Sequence, residues 1–205
     1  MTLMTKFFLK YSFHIITAAA VVMLVAVLVL YGQTIDAAQA MARFTARMSF
    51  AVFAIVFSAS SLYRFFPSDL TASLLRSRRR LGITFAFAHT IHLVALALFV
   101  SMSEARPQIT RVAGGALAYL LIFAMALTSS DAAVKRMGAR SWKALHTGGV
   151  FYIWLAFFLT YLPRLQGKLP QAGETHAEFI VMMSLVITIM LLRLSSMLAP
   201  RKKAV

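Results

Sequence analysis

The chain has 205 residues, 60% of them apolar and 13% charged, with 21 lysines and arginines against only six carboxylates. A soluble domain carries about 25% charged residues. A net charge of +15 would suit nucleic acid, but here the basic residues punctuate apolar blocks and form no soluble basic surface, so they read as topology determinants and anionic-lipid contacts. The absence of cysteine excludes disulfides, thiol catalysis, thiolate-ligated haem and iron–sulfur clusters.

The apolar blocks approach the roughly 20 residues that a helix needs to cross a bilayer, so they predict a polytopic all-α membrane protein. The first span is predicted at about Tyr11 to Tyr31, behind Lys6 and Lys10. Its apolar run exceeds the 7–15 residues of a secretory h-region, so it reads as a membrane helix although Ala38-Gln39-Ala40 imitates a cleavage site. His14 lies one turn after Lys10, near the surface, and the segment Gly32 to Ala46 reads as a mildly polar loop with room for a short surface helix. The second span is predicted at about Arg47 to Phe66, where Ser58, Ser60 and Ser61 permit close helix contact. Pro67-Ser68-Asp69 breaks it, and Ser68 or Asp69 is placed to cap a short amphipathic piece that ends at an arginine cluster.

The third span is predicted at about Leu81 to Met102, within Arg78 to Val100 and its neighbours. Arg106-Pro107 turns the chain, and the fourth span runs about Val112 to Leu127, with Gly114-Gly115 suited to close packing. A basic loop, Ala132 to Lys143, leads to the fifth span at about Trp142 to Leu162, where Trp142 reads as an interfacial anchor and Pro163 as the stop. A loop with Pro170 precedes the sixth span, about Ala177 to Leu198, which Pro200 and Arg201-Lys202-Lys203 close. With the N-terminus in the cytoplasm, fifteen basic residues fall on the cytoplasmic side and six on the far side, so both termini are expected to be cytoplasmic. No soluble segment exceeds roughly 20 residues, which leaves no room for a flavin or nucleotide domain. Residues 1–205 are read as one membrane domain, a six-helix bundle.

Two histidines, His89 and His92, lie well inside the third span. An ionisable side chain at that depth costs a few kcal/mol as a fixed charge, and with few carboxylates nearby a metal cofactor is a better reading than a proton relay. A haem b needs imidazoles facing a porphyrin, apolar walls and basic groups for its propionates. Being three apart, His89 and His92 share a helix face, and His146 opens the fifth span, which runs in the same direction. The walls are expected from Phe85, Phe87, Phe99, Phe151, Tyr152, Trp154, Phe157 and Phe158, and the propionate partners from Arg78 to Arg80, Arg140, Trp142 and Lys143. Depth works against this set. At about 1.5 Å per residue, His92 stands roughly 18 Å above Arg80 and His89 roughly 14 Å, whereas His146 stands only about 4–5 Å above Lys143. On depth His89 is the better partner for His146. His14 reads as interfacial, and His176, beside Glu174 and Glu178, as solvated or as a weak metal or quinone contact. No nucleotide-binding glycine loop, catalytic triad or zinc-spaced cluster is present.

Two stretches carry a resemblance. One is Arg79-Arg80-Leu81-Gly82 followed by His92. The other is Leu127-Thr128-Ser129 followed by Ser141-Trp142-Lys143-Ala144-Leu145-His146 and an aromatic-rich span. Over about residues 47–162 the chain resembles the ferric reductase-like transmembrane family, nearest the haem-binding membrane subunits of periplasmic methionine sulfoxide reductase systems. The resemblance implies a bacterial inner-membrane cytochrome b with His92 and His146 as the matching haem ligands. It also implies a cytoplasmic flavin reductase or quinol as donor, a redox protein on the far side as acceptor, and a quinone as a further candidate cofactor. The family commonly carries a second histidine about thirteen residues along the fifth span, where this chain has Leu159. One haem, held by His146 and either His92 or His89 with Arg80, Trp142 and Lys143 nearby, is therefore expected rather than two. Two other readings remain: a haem-free accessory or scaffold subunit, favoured by Leu159, and a small transporter with a histidine proton relay, disfavoured by the scarcity of intramembrane carboxylates.

Overall fold

A computed structural model describes residues 3–104, 109–168 and 175–200, apart from the side chains of residues 3–9, 31 and 111. The readings on Lys6, Arg106-Pro107, Pro170, Glu174 and Arg201-Lys202-Lys203 lie outside that description. Among the described residues there are eight helices and no strands. They are α1 (Leu3–Tyr31), α2 (Ile35–Phe65), α3 (Asp69–Arg76), α4 (Arg78–Met102), α5 (Ile109–Leu127), α6 (Asp131–Met137), α7 (Ala139–Leu165) and α8 (His176–Leu198). Five are long and apolar enough to cross a membrane. A sixth span results if α5 and α6, bent by 107° at their junction, count as one. The chain is an integral membrane protein of all-helical fold.

The second helix departs from the sequence reading. Instead of a loop over Gly32 to Ala46, α2 starts at Ile35 and continues unbroken for 31 residues. Gly32 turns the chain with φ 63°, and the Thr34 hydroxyl accepts a hydrogen bond from the Ala37 N–H, satisfying one of the free donors of the first turn. Ala37, Ala38 and Ala40 are almost fully buried. Ala37, Ala40 and Ala42 pack in one cluster with Val27 of α1 and Ala95 of α4. Asp36, Gln39 and Arg43, spaced three and four apart, fall on one side of this helix, and the alanines let its neighbours approach closely.

Most other boundaries follow local chemistry. Ser68 and Thr71 form a reciprocal capping box at α3, and Thr175 and Glu178 do the same at α8. The basic loop predicted over Ala132 to Lys143 is instead α6, capped by Ser130, then a turn at Gly138 with φ 78°, then the start of α7. Pro163 does not stop α7, which runs on to Leu165. It sits in the last turn, where its missing N–H and ring disturb only one bond near a frayed end.

The most extensive packing joins α2 to α4, and α2 also touches α1, α3 and α8. The core is aromatic: Phe50, Phe53 and Phe57 of α2 meet Phe85 of α4, Phe157 and Tyr161 of α7 and Phe179 of α8. The expected serine contacts appear between α2 and α8, where the Ser61 and Ser196 hydroxyls lie 2.8 Å apart and Arg193 donates to Ser60. On the other side α5 packs on α7. There Gly149 leaves room for Met125, whose Sδ lies 2.6 Å from where a Cβ would stand. Gly114 serves this interface differently, its carbonyl accepting a hydrogen bond from the Tyr152 hydroxyl at 3.1 Å.

Candidate functional site

Because α4 and α7 run in the same direction, each cavity between them draws on both, and the histidines divide between two. A cavity of about 500 Å³ near the start of both helices is lined by His146, Trp142 and Lys143, with Arg78, Arg79 and Arg193 around it and Phe53, Phe85 and Ile122 deeper in. Another, of about 360 Å³, is lined by His89 and His92 with Phe99 of α4, Arg43 and Arg47 of α2, Tyr119 of α5, Phe157 and Arg164 of α7 and Phe179 of α8. Both volumes are in the range of small-molecule sites. Ile153 lines both and stands between them.

The two levels are far apart. His89 touches Phe157, at 5.9 Å between ring centroids. Phe157 lies eleven residues beyond His146, or roughly 16 Å along α7 at 1.5 Å per residue. A metal–imidazole bond is about 2 Å, so this arrangement does not bring His146 and the α4 histidines to one iron. His89 and His92 themselves stand together, with ring centroids 5.2 Å apart.

Hydrogen bonds fix which ring nitrogen each histidine offers. His89 Nδ1 lies 3.0 Å from Ser49 Oγ, and His92 Nδ1 lies 3.1 Å from Thr45 Oγ1. Each hydroxyl has one proton, and each donates it to its own helix: Ser49 to the Ala46 carbonyl at 2.9 Å, Thr45 to the Met41 carbonyl at 2.7 Å. With the hydroxyl protons placed on those carbonyls, we assign the hydroxyl oxygens as acceptors from the rings, which puts the proton of both histidines on Nδ1 and leaves Nε2 its lone pair. This is how a protein orients a metal-ligating imidazole, with one ring nitrogen bonded to a fixed partner and the other left for the metal.

His146 has the opposite tautomer. Its Nε2 lies 3.2 Å from Thr128 Oγ1, and that hydroxyl donates to the Ala124 carbonyl at 2.6 Å. His146 thus carries its proton on Nε2 and uses it on α5. Its ring stacks on Trp142 at 4.1 Å, and Trp142 Nε1 donates to the Thr128 carbonyl at 2.9 Å. The Thr128-Ser129 exit and the Trp142 to His146 opening, the two halves of one motif, form one knot that ties the end of α5 to the start of α7.

The α4 pair also differs internally. His89 is only 9% exposed, and the rings of Phe85, Tyr119 and Phe157 surround it at centroid distances of 5.4, 4.9 and 5.9 Å. His92 is half-buried and opens more freely onto the cavity.

Among the other expected residues, Trp142 and Lys143 line the larger cavity, whereas Arg80 is exposed and lies outside both linings. Phe87 stacks on Phe13 of α1, Trp154 donates to the Val186 carbonyl, and Phe158 stacks on Trp154, so these three serve helix packing. His14 and His176 are exposed. The sequence reading missed Thr45, Ser49, Arg43, Arg47, Tyr119 and Arg164. The signal for four of them is the i, i+4 spacing of residues 43 with 47 and 45 with 49, which a loop over residues 32–46 conceals. Among the described residues no group of three or more histidines and carboxylates forms a metal site.

Relatives supply the remaining context. The protein-methionine-sulfoxide reductase heme-binding subunit MsrQ of Azospira oryzae is 38% identical over 97 residues, covering 40% of this chain and 41% of that protein. The subunit of the same name from Cronobacter sakazakii is 32% identical over 149 residues, covering 63% of this chain and 70% of that protein. The chain thus spans less than half of the first relative and more than two thirds of the second. No protein-family model matches the chain, and no solved structure matches it. On the breadth of the second match, the chain belongs to the MsrQ family, the heme-binding subunits of protein-methionine-sulfoxide reductase.

Proposed function

We propose that the chain is a haem-binding, electron-transfer subunit of the bacterial inner membrane, with haem b seated in the cavity that His92 faces. The observation that carries this reading is the anchoring of His92, whose Nδ1 lies 3.1 Å from Thr45 Oγ1, in a cavity walled by Phe99, Phe157 and Phe179. The residues fit the group. Imidazole is a haem-iron ligand, the walls are apolar, and Arg43, Arg47 and Arg164 line the same cavity as cationic partners for propionates. The absence of cysteine leaves a non-covalently held haem. His89, enclosed by aromatic rings beside His92, is placed to position that ring and polarise the site.

Haem supplies reversible one-electron chemistry. The chain's own part is to hold it within the bilayer, exclude water with the aromatic core and set its potential through His92, Thr45 and the surrounding arginines. The basic face, with Arg78, Lys143 and Arg193, is oriented to the cytoplasm by the positive-inside rule. A flavin reductase or a quinol delivers electrons there, and a redox protein of the methionine sulfoxide reductase class receives them on the far side. Membrane lipid is the remaining partner, and residues 1–205 act as one domain.

A second reading places the cofactor in the larger cavity against His146, Trp142 and Lys143. Its support is the size of that cavity and the basic side chains around it. There Nε2 of His146 stays with Thr128 and Nδ1 is the nitrogen left on the ring. The test is a reduced-minus-oxidised absorption spectrum of the protein purified after expression with ample haem, with the haem extracted and typed. A b-type spectrum at one haem per chain is expected. A flat spectrum would leave the haem-free scaffold reading in its place.

A further inference from the structure

The larger cavity gathers cations at the start of α4 and α7 and apolar side chains behind them. Arg78, Arg79, Lys143 and Arg193 all line it, with Phe53, Val56, Phe85 and Ile122 deeper in. Arg79 is held by Asp131 at 2.7 Å. Arg193 comes from α8, donates to Ser60 and lies over the Phe57 ring, its Cζ 5.8 Å from the centroid. Its Nε–H is buried and has no hydrogen-bond partner among the described residues. A buried donor left that way is costly, and an anionic oxygen is the acceptor that best relieves it. Arg78 is near enough to Arg193 for the two charges to repel.

Resting on the reading that seats the haem beside His92 and leaves this cavity free, we propose that the larger cavity holds one anionic phospholipid. Its phosphodiester meets Arg78, Lys143 and Arg193, and the upper part of an acyl chain lies against Phe85 and Ile122. Basic pockets between membrane helices on the cytoplasmic side take such headgroups. The cavity's volume of about 500 Å³ and its apolar depth favour a lipid over a small free anion, which would leave that depth unfilled. A zwitterionic lipid would bring a further cation into the cluster. Bound here, the lipid offsets the repulsion between α4 and α8 beside the Trp142–His146 stack.

The experiment is native mass spectrometry of the full haem-bearing chain released from detergent, which weighs lipid and haem together. Phosphatidylglycerol, phosphatidylcholine and a large excess of inorganic phosphate are the probes. One phosphatidylglycerol per chain should be retained in preference to phosphatidylcholine and should survive the phosphate. Lys143→Gln and Arg193→Gln should each weaken retention about fivefold. Lys143 is exposed, so its variant reports even if Arg193→Gln fails to fold. Arg80→Gln removes an equal charge from an exposed position outside the lining and should change nothing. Equal retention of both lipids, displacement by phosphate, or a loss in Arg80→Gln equal to that in Lys143→Gln would overturn the proposal. Loss of haem together with lipid in Lys143→Gln would overturn both this site and the seating of haem at His92. A chain that keeps the lipid and binds no haem would overturn the haem reading alone.

Discussion

The two cavities are built from the same pair of parallel helices, yet their histidines are prepared for different work. In the smaller cavity the hydroxyls of α2 meet His89 and His92 at Nδ1, so Nε2 is the nitrogen left on each ring. In the larger one α5 supplies a hydroxyl that takes the Nε2 proton of His146, and Trp142 covers the ring. A histidine's position on a membrane helix therefore says less than the single hydrogen bond that fixes its tautomer. The surroundings differ in the same sense. The larger cavity gathers Arg78, Lys143 and Arg193, and among the described residues no carboxylate pairs with these three. It suits binding and orientation at a membrane surface, whereas the smaller cavity suits a redox centre.

The comparison breaks most visibly at the histidines. His92→Ala should remove most of the haem absorbance per mole of protein, while His146→Ala should keep it and lose only some thermal stability. Next comes the α5–α7 interface beside His146. Gly149→Leu drives a side chain into Met125 and should cost about 1–3 kcal/mol through overpacking, read as a lowered melting temperature in detergent. Gly149→Ala should be much milder, because the thioether end can swing away and the helix gains propensity.

Smaller effects sharpen the contrast. Thr45→Val removes the hydroxyl that accepts from His92 and should weaken haem retention about 10–100-fold, the usual cost of losing such a supporting bond at a metal site. Thr128→Val removes the equivalent bond to His146. It should cost only about 1 kcal/mol of stability and leave haem retention unchanged in a competition assay with apomyoglobin. The smallest change is expected at Asp131, whose ion pair with Arg79 at 2.7 Å is largely solvent-exposed. Asp131→Asn should shift stability by less than about 1 kcal/mol in the same melts.

Much of this was legible in the residues. The apolar blocks placed the long helices, and Ser68 and the Arg78 cluster marked α3 and the start of α4. The depth argument marked His146 as nearer the surface but still paired it with His89, whereas the two cavities part them. What composition hid was the first part of α2. Alanine-rich, mildly polar segments look like loops because hydropathy averages over all faces, while burial depends on one. The loss of those turns from the reading also lost Thr45 and, with it, the helix that orients His92. The tautomers were beyond reach for a further reason: each depends on a hydroxyl from another helix, 47 residues away for His92 and 18 for His146.

The most direct test of the account is the reduced-minus-oxidised spectrum of His92→Ala and His146→Ala prepared side by side with the wild type. The account predicts that the b-type signal disappears in His92→Ala and persists unshifted in His146→Ala. A signal that persists in His92→Ala and vanishes in His146→Ala would contradict it and move the cofactor to the larger cavity.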